Sequence, residues 1–181
     1  MRTGGLDTFL LKPVSYLGYW SCRQFTTNVF YSVENAIIAV VLSIFFSKYF
    51  YLQTDGYYLI LMLISLILSF ILAYLIDFVL SMTAFWLENS SGIKSIYFLI
   101  MTFLSGQIVP LNVLPDFIQR ITSKLPFYYI NFFPVQIYLG KVTYHDALLG
   151  ILTEALWIVS FYLIYKVEWK LGLKTYKSMG G

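Results

Sequence analysis

Apolar residues fall in four long stretches, at residues 28–50, 57–80, 93–113 and 147–166. Each is close to the ~20 residues that a helix rising about 1.5 Å per residue needs to cross ~30 Å of hydrocarbon. The second is the cleanest, with Asp77 its only charge, near the end of the run. Glu34 and Asn35 interrupt the first, Lys94 opens the third, and Glu154 lies about eight residues into the fourth. Helices are expected throughout, because a helix satisfies its own backbone polar groups in lipid. The weak dyad alternation of a membrane barrel is absent.

The stretch 114–146 has a different pattern. Pro115, Pro126 and Pro134 break it into short pieces. Between the first two prolines, Leu114, Phe117, Ile118, Ile121 and Leu125 recur at helical spacing, while Asp116, Gln119, Arg120 and Lys124 take other faces. This predicts a short amphipathic helix with Pro115 in its first turn and Pro126 stopping it, lying in the membrane interface or re-entering it shallowly.

Composition supports a lipid setting. Of 181 residues, 59% are hydrophobic and 12% charged, against roughly 25% charged in soluble domains. Mean hydropathy is +0.75. A soluble fold this small has too much surface for its volume to hide so much apolar area. Aromatic clusters such as Tyr49-Phe50-Tyr51 and Phe127-Tyr128-Tyr129 stand where apolar runs end, as suits the membrane–water interface.

Charge sets the orientation. With an even number of spans both termini share a side. That side carries Arg2, Lys12, Arg23, Lys94, Lys166, Lys170, Lys174 and Lys177, eight basic residues; the other carries Lys48, Arg120, Lys124 and Lys141, which is four. The positive-inside bias places both termini in the cytoplasm. The net charge of +3 is too small to imply a nucleic-acid partner.

Little in the chain supports catalysis. The lone Cys22 excludes an intrachain disulfide, and the lone His145, read as an exposed residue at the start of the last span, argues against a zinc site. No phosphate-binding Gly-rich loop, nucleophile elbow or His-Glu-x-x-His helix occurs, and no paired carboxylates suggest acid–base work. No metal or other cofactor is expected in this chain. Glu154 is the charge of most interest, because a carboxylate at that depth faces a cavity or a partner; the plainer reading is a group paired for packing. Gly106 offers a close helix contact or a bend before Pro110.

Several segments resemble the ABC type-2 export permeases. Gly4-Gly5-Leu6-Asp7-Thr8-Phe9-Leu10-Leu11-Lys12-Pro13 is similar to the cytoplasmic loop before the third span, closest to the bacterial subgroup reading Gly-Leu-Asp followed by Leu-Leu-x-Pro. Phe103-Leu104-Ser105-Gly106-Gln107-Ile108-Val109-Pro110-Leu111, then Leu114-Pro115, look like that subgroup's fifth span and its exit. Leu125-Pro126-Phe127, Phe133-Pro134 and Leu139-Gly140 follow in order.

The resemblance implies an all-α membrane protein with about four transmembrane helices, the third to sixth of a six-span permease whose first two spans are absent. It adds a cytoplasmic coupling helix within residues 1–27 and a re-entrant helix pair in the outer region 114–146, all in one membrane domain. It implies a permease subunit of an ATP-driven exporter in the bacterial cytoplasmic membrane. That subunit would work by alternating access, as a homo- or heterodimer with a second permease subunit, surrounded by lipid and driven by a separate ABC ATPase subunit. Leu6, Asp7, Leu10, Leu11 and Pro13 would couple to the ATPase. Gly106, Pro110, Pro115, Pro126, Phe127 and Glu154 would line the gate and substrate path. The alternative is a truncated, non-transporting membrane protein that binds or modulates a full-length permease.

Overall fold

The computed structural model describes residues 16–46, 51, 53–87 and 91–175. It is all helical among these residues and falls into two compact units, residues 1–52 with 177–181, and residues 53–176. The described part of the first unit is mainly one helix, α1 (Tyr16–Phe45). It starts twelve residues before the apolar stretch at 28, so the polar residues Arg23 and Gln24 are also helical. The Arg23 guanidinium lies over the Trp20 ring at 5.2 Å. Glu34 is exposed on α1, as are Phe30, Ile37 and Ile44.

The second unit is built on two long helices, α2 (Gly56–Met82) and α7 (Tyr144–Thr175). Asp55 starts α2 as its N-cap, its carboxylate accepting from the Tyr57 backbone N–H at 2.8 Å. A 3-10 turn, Thr83–Phe85, extends the helix. Buried positions on α2 recur at Leu61, Ser65, Ser69, Leu72, Ile76, Val79 and Met82, the three- and four-residue steps that put one stripe on one face. That stripe packs along α7.

Close approach depends on two glycines of α7. A side chain at Gly150 would overlap the Phe133 ring, and one at Gly172 would overlap Phe85. Small residues are what let helix backbones and rings approach in lipid, where no hydrophobic force separates protein from solvent.

Between the long helices lie α3 (Ser91–Leu104), a 3-10 turn at Leu111–Val113, and three short helices. These are α4 (Asp116–Thr122), α5 (Pro126–Ile130) and α6 (Phe132–Tyr138). Both α5 and α6 pack on α2, and α5 also touches α7 and α3. The core of the unit gathers Leu61, Leu72 and Ile76 from α2, Tyr129 and Ile130 from α5, and Phe133 and Ile137 from α6.

Two local outcomes differ from the sequence pattern. The apolar stretch 93–113 is helical only to Leu104, because Gly106 adopts the left-handed conformation (φ +74°) and Pro110 follows. The outer region holds three short helices rather than a pair. Pro126 opens α5 as well as closing the preceding segment, since a proline at the first helical position lacks only an N–H that has no partner there.

Among the described residues two helices are long and apolar enough to cross a membrane, Gly56–Phe85 and Tyr144–Thr175. Only 33% and 11% of their most apolar windows are buried within the chain, so most of the apolar surface of each helix is left uncovered by the described residues. Ile60, Ile67, Leu152, Leu156 and Leu163 all face outward, a surface that lipid or another subunit must cover.

Candidate functional site

Among the described residues the one acidic side chain that is wholly inaccessible is Glu154, ten residues into α7. Its carboxyl meets two serines of α2. Ser69 Oγ is 2.8 Å from Oε1, and Ser65 Oγ is 3.0 Å from Oε2. The serines are four residues apart and so project from one face of α2. Ser69 Oγ also lies 2.7 Å from the Tyr129 carbonyl of α5 and 2.7 Å from the Ser65 carbonyl one turn back. One polar node thus joins α2, α5 and α7 inside an otherwise apolar core. A polar group buried in such a place costs free energy unless it is hydrogen-bonded, and every oxygen of the Glu154 carboxyl is.

The α5–α6 segment carries contacts in two directions. Phe133 presses into the notch at Gly150 on α7. Its neighbour Phe132 closes over Gly106, where an added Cβ would meet the ring at 2.9 Å. Asn131, between α5 and α6, donates from Nδ2 to Ser105 Oγ at 3.1 Å. Gly106 and Pro110 line a cavity of about 440 Å³ with Asn131, Phe132, Gln136 and Lys141. A second cleft of about 580 Å³ lies between Leu111, Asp116, Arg120, Tyr128 and Phe132.

The start of α2 is tied to the start of α7. The Tyr144 hydroxyl donates to Asp55, Tyr58 Oη donates to the Val142 carbonyl at 2.9 Å, and Gln53 Nε2 donates to the Tyr138 carbonyl at 3.0 Å. The Tyr144 ring stacks on Tyr58 with centroids 4.5 Å apart. Donation from Tyr144, then from the Tyr57 backbone, holds the Asp55 carboxyl below the usual carboxylate range. The opposite ends of these helices meet through rings, with Phe78 against Tyr165 at 5.3 Å and Phe85 against Trp169 at 6.0 Å. Lys166, Lys170 and Lys174 form an exposed ladder there at four-residue spacing.

The residues expected to form a gate are therefore in two places. Gly106 and Pro110 line the cavity. Glu154 sits in the separate node behind α5 and α6. Pro115 is the N-cap of α4, Pro126 is buried at the head of α5, and Phe127 is half-buried with its ring 6.3 Å from Tyr97 of α3. Leu6, Asp7, Leu10, Leu11 and Pro13, expected to couple to an ATPase, lie outside the described residues. The side chain of Asn35 does too, while Asp77 and His145 are exposed. Sequence reasoning passed over Ser65 and Ser69, although two serines four apart in an apolar helix are a readable signal. It also passed over Asn131 and Gly150, whose partners are distant in the chain.

Apolar helices turned outward and a polar seam turned inward define a membrane-embedded helical domain. The chain belongs to the ABC-2 family transporter proteins, whose family model matches residues 1–180. It is an integral membrane permease of an ABC transporter, a class that works with an ATPase partner. Comparisons with curated proteins and with solved structures give no match.

Proposed function

We propose that the chain is the permease subunit of an ATP-driven exporter in a bacterial cytoplasmic membrane, multi-pass, with four spans and both termini cytoplasmic. The observation that carries this reading is the broken-helix segment, in which α5 and α6 pack on α2, α5 also touches α7, and α6 borders a cavity beside Gly106 and Pro110. Interrupted helices beside a cavity are how transport proteins place irregular backbone at membrane depth.

In this reading two such subunits, identical or different, pack through outward apolar faces such as those of α2 and α7, and lipid covers the rest. The ATPase docks on the segment holding Leu6, Asp7, Leu10, Leu11 and Pro13. Its cycle moves that segment and alternates access, and α4–α6 form the outer gate through Gly106, Pro110, Pro115, Pro126 and Phe127, with Glu154 behind them. The test is reconstitution with the ATPase subunit in vesicles. ATP-dependent movement of a substrate away from the ATPase side is expected. Binding to a permease without ATPase association or transport would replace this reading with that of a modulator.

A further inference from the structure

The oxygens around Ser69 outnumber the hydrogens that an ionised Glu154 leaves available. A serine hydroxyl has one hydrogen to donate, and an ionised carboxylate has none. Ser65 Oγ faces Glu154 Oε2, which uses its hydrogen. Ser69 Oγ then has a single hydrogen for three oxygens at 2.7, 2.7 and 2.8 Å. With Glu154 ionised, two of those contacts are oxygen against oxygen with nothing between them. The Ser65 carbonyl is the usual back-bond of a helical serine. The Tyr129 carbonyl and the Glu154 carboxyl come from other helices and are brought there by packing.

One more hydrogen reduces the conflict to a single contact, the one with the Ser65 carbonyl on the same helix. If Oε1 carries a proton, it donates to Ser69 Oγ, and Ser69 passes its own hydrogen to the Tyr129 carbonyl. Oε2 is then the carbonyl oxygen and accepts from Ser65. Both contacts of Ser69 with other helices now hold a hydrogen, and the three donors run in one direction, from Ser65 of α2 to Glu154 of α7, back to Ser69 of α2 and on to the Tyr129 carbonyl of α5.

The surroundings agree. Among the described residues no cation is paired with Glu154. On α2 the nearest acid is Asp77, two helical turns beyond Ser69 and exposed. On α5 the titratable groups are Tyr128 and Tyr129, and Tyr129 spends its hydroxyl on the Ser123 carbonyl. On α6 the only titratable side chain is Tyr138, at its far end, and on α7 His145 and Asp146 are exposed at the outer end and Lys166 lies three turns away. An ionised carboxylate here would be both buried and unpaired.

We infer that Glu154, Ser69 and the Tyr129 carbonyl form a proton-binding site, occupied in this conformation, in which Glu154 is a neutral carboxylic acid. The site depends on α5 staying in place. When α5 withdraws, Ser69 loses its acceptor, water reaches Oε1, and the proton passes to that water, leaving a carboxylate. Proton occupancy therefore follows the packing of α5 on α2 and α7. This inference rests on hydrogen-bond geometry and not on the transport reading, so either can fail without the other.

The test is infrared spectroscopy of the purified full chain at neutral pH, in a detergent without ester carbonyls. The wild type should show the C=O stretching band of a protonated carboxylic acid, and Glu154→Gln should lack it. Ser65→Ala removes the hydrogen bond to Oε2, so the band should move to higher frequency there. Ser65→Ala leaves the acid in place, so it tests the assignment even if Glu154→Gln folds poorly. A wild-type spectrum without the band overturns the inference. So does a band that persists in well-folded Glu154→Gln or stays unmoved in Ser65→Ala.

Discussion

Phe133 occupies the space that a side chain on Gly150 would need. The ring and the missing side chain act as one fitted pair between α6 and α7. Gly150→Ala should destabilise the domain by roughly 1–3 kcal/mol, the usual cost of overpacking a filled core. Phe133→Ala alone should cost roughly 3–5 kcal/mol by emptying the notch. The double variant should lose less than the sum, with a coupling of about 1 kcal/mol or more. Thermal unfolding in detergent of the four proteins measures this, and strict additivity would mean that the two residues do not meet.

Glu154→Gln keeps a neutral group with a donor and an acceptor in the node. It should unfold within a few degrees of wild type while changing transport rate or substrate range. Glu154→Ala leaves Ser65 Oγ without its acceptor and cuts the link from Ser69 to α7, and should lower stability by about 2 kcal/mol or more. If Glu154→Gln instead reduces protein abundance with transport per molecule unchanged, the residue serves packing alone.

Asp55 gives a pH dependence. Its carboxyl is held below its unfolded value by Tyr144 and the Tyr57 backbone. The tie is therefore fully present above about pH 4, the ordinary range for Asp, and is lost as pH falls through the lower folded value. Wild type and Asp55→Asn should differ in melting temperature at neutral pH and converge in strong acid. A difference unchanged across that range would show that Asp55 acts only through its size.

Orientation is checked by fusion reporters. One placed after Gly181 should report cytoplasm, and one near Lys124 the outside, following the basic-residue bias. Two reporters on the same side would remove the four-span arrangement.

Leu10→Asp tests the docking segment. A charge entering a dry interface without a partner costs several kcal/mol, and roughly 3 kcal/mol weakens binding over a hundredfold. ATPase co-purification should collapse while membrane insertion stays normal. An unchanged ATPase yield would place Leu10 away from the interface.

What the sequence made legible follows the physics of each element. The apolar run 57–80 is continuous and Asp55 caps it, so α2 differs from the run by only a residue or two at each end. Glu154 could be singled out because burying a charge is expensive wherever its partner lies. The partner itself was not legible, since Ser69 is 85 residues away and only packing brings it near. At Gly106 a bend was legible, but the end of α3 was not, for another reason. Ser105, Gly106 and Gln107 interrupt an apolar pattern too briefly to look like a stop, and the left-handed turn at Gly106 is a backbone choice that hydropathy does not encode. Pro126 was legible as a break but not as a beginning, because a proline reads alike from either side until its neighbours are placed.

The short reach of α3 has a consequence for the distance a transported molecule must travel. Its fourteen described helical residues rise only about 21 Å, less than the ~30 Å of hydrocarbon. With α3 entering from the inner face, as proposed, the chain turns at Gly106 well before the outer surface. Carbonyls at that depth are tolerated only where protein or water reaches them, which fits the cavity found there and the side chains of Gln107, Asn112 and Gln136 along its wall. In the proposed exporter the outer third of the crossing would then be a wet funnel, and an ATP-driven stroke would have only the remaining thickness to carry its cargo through.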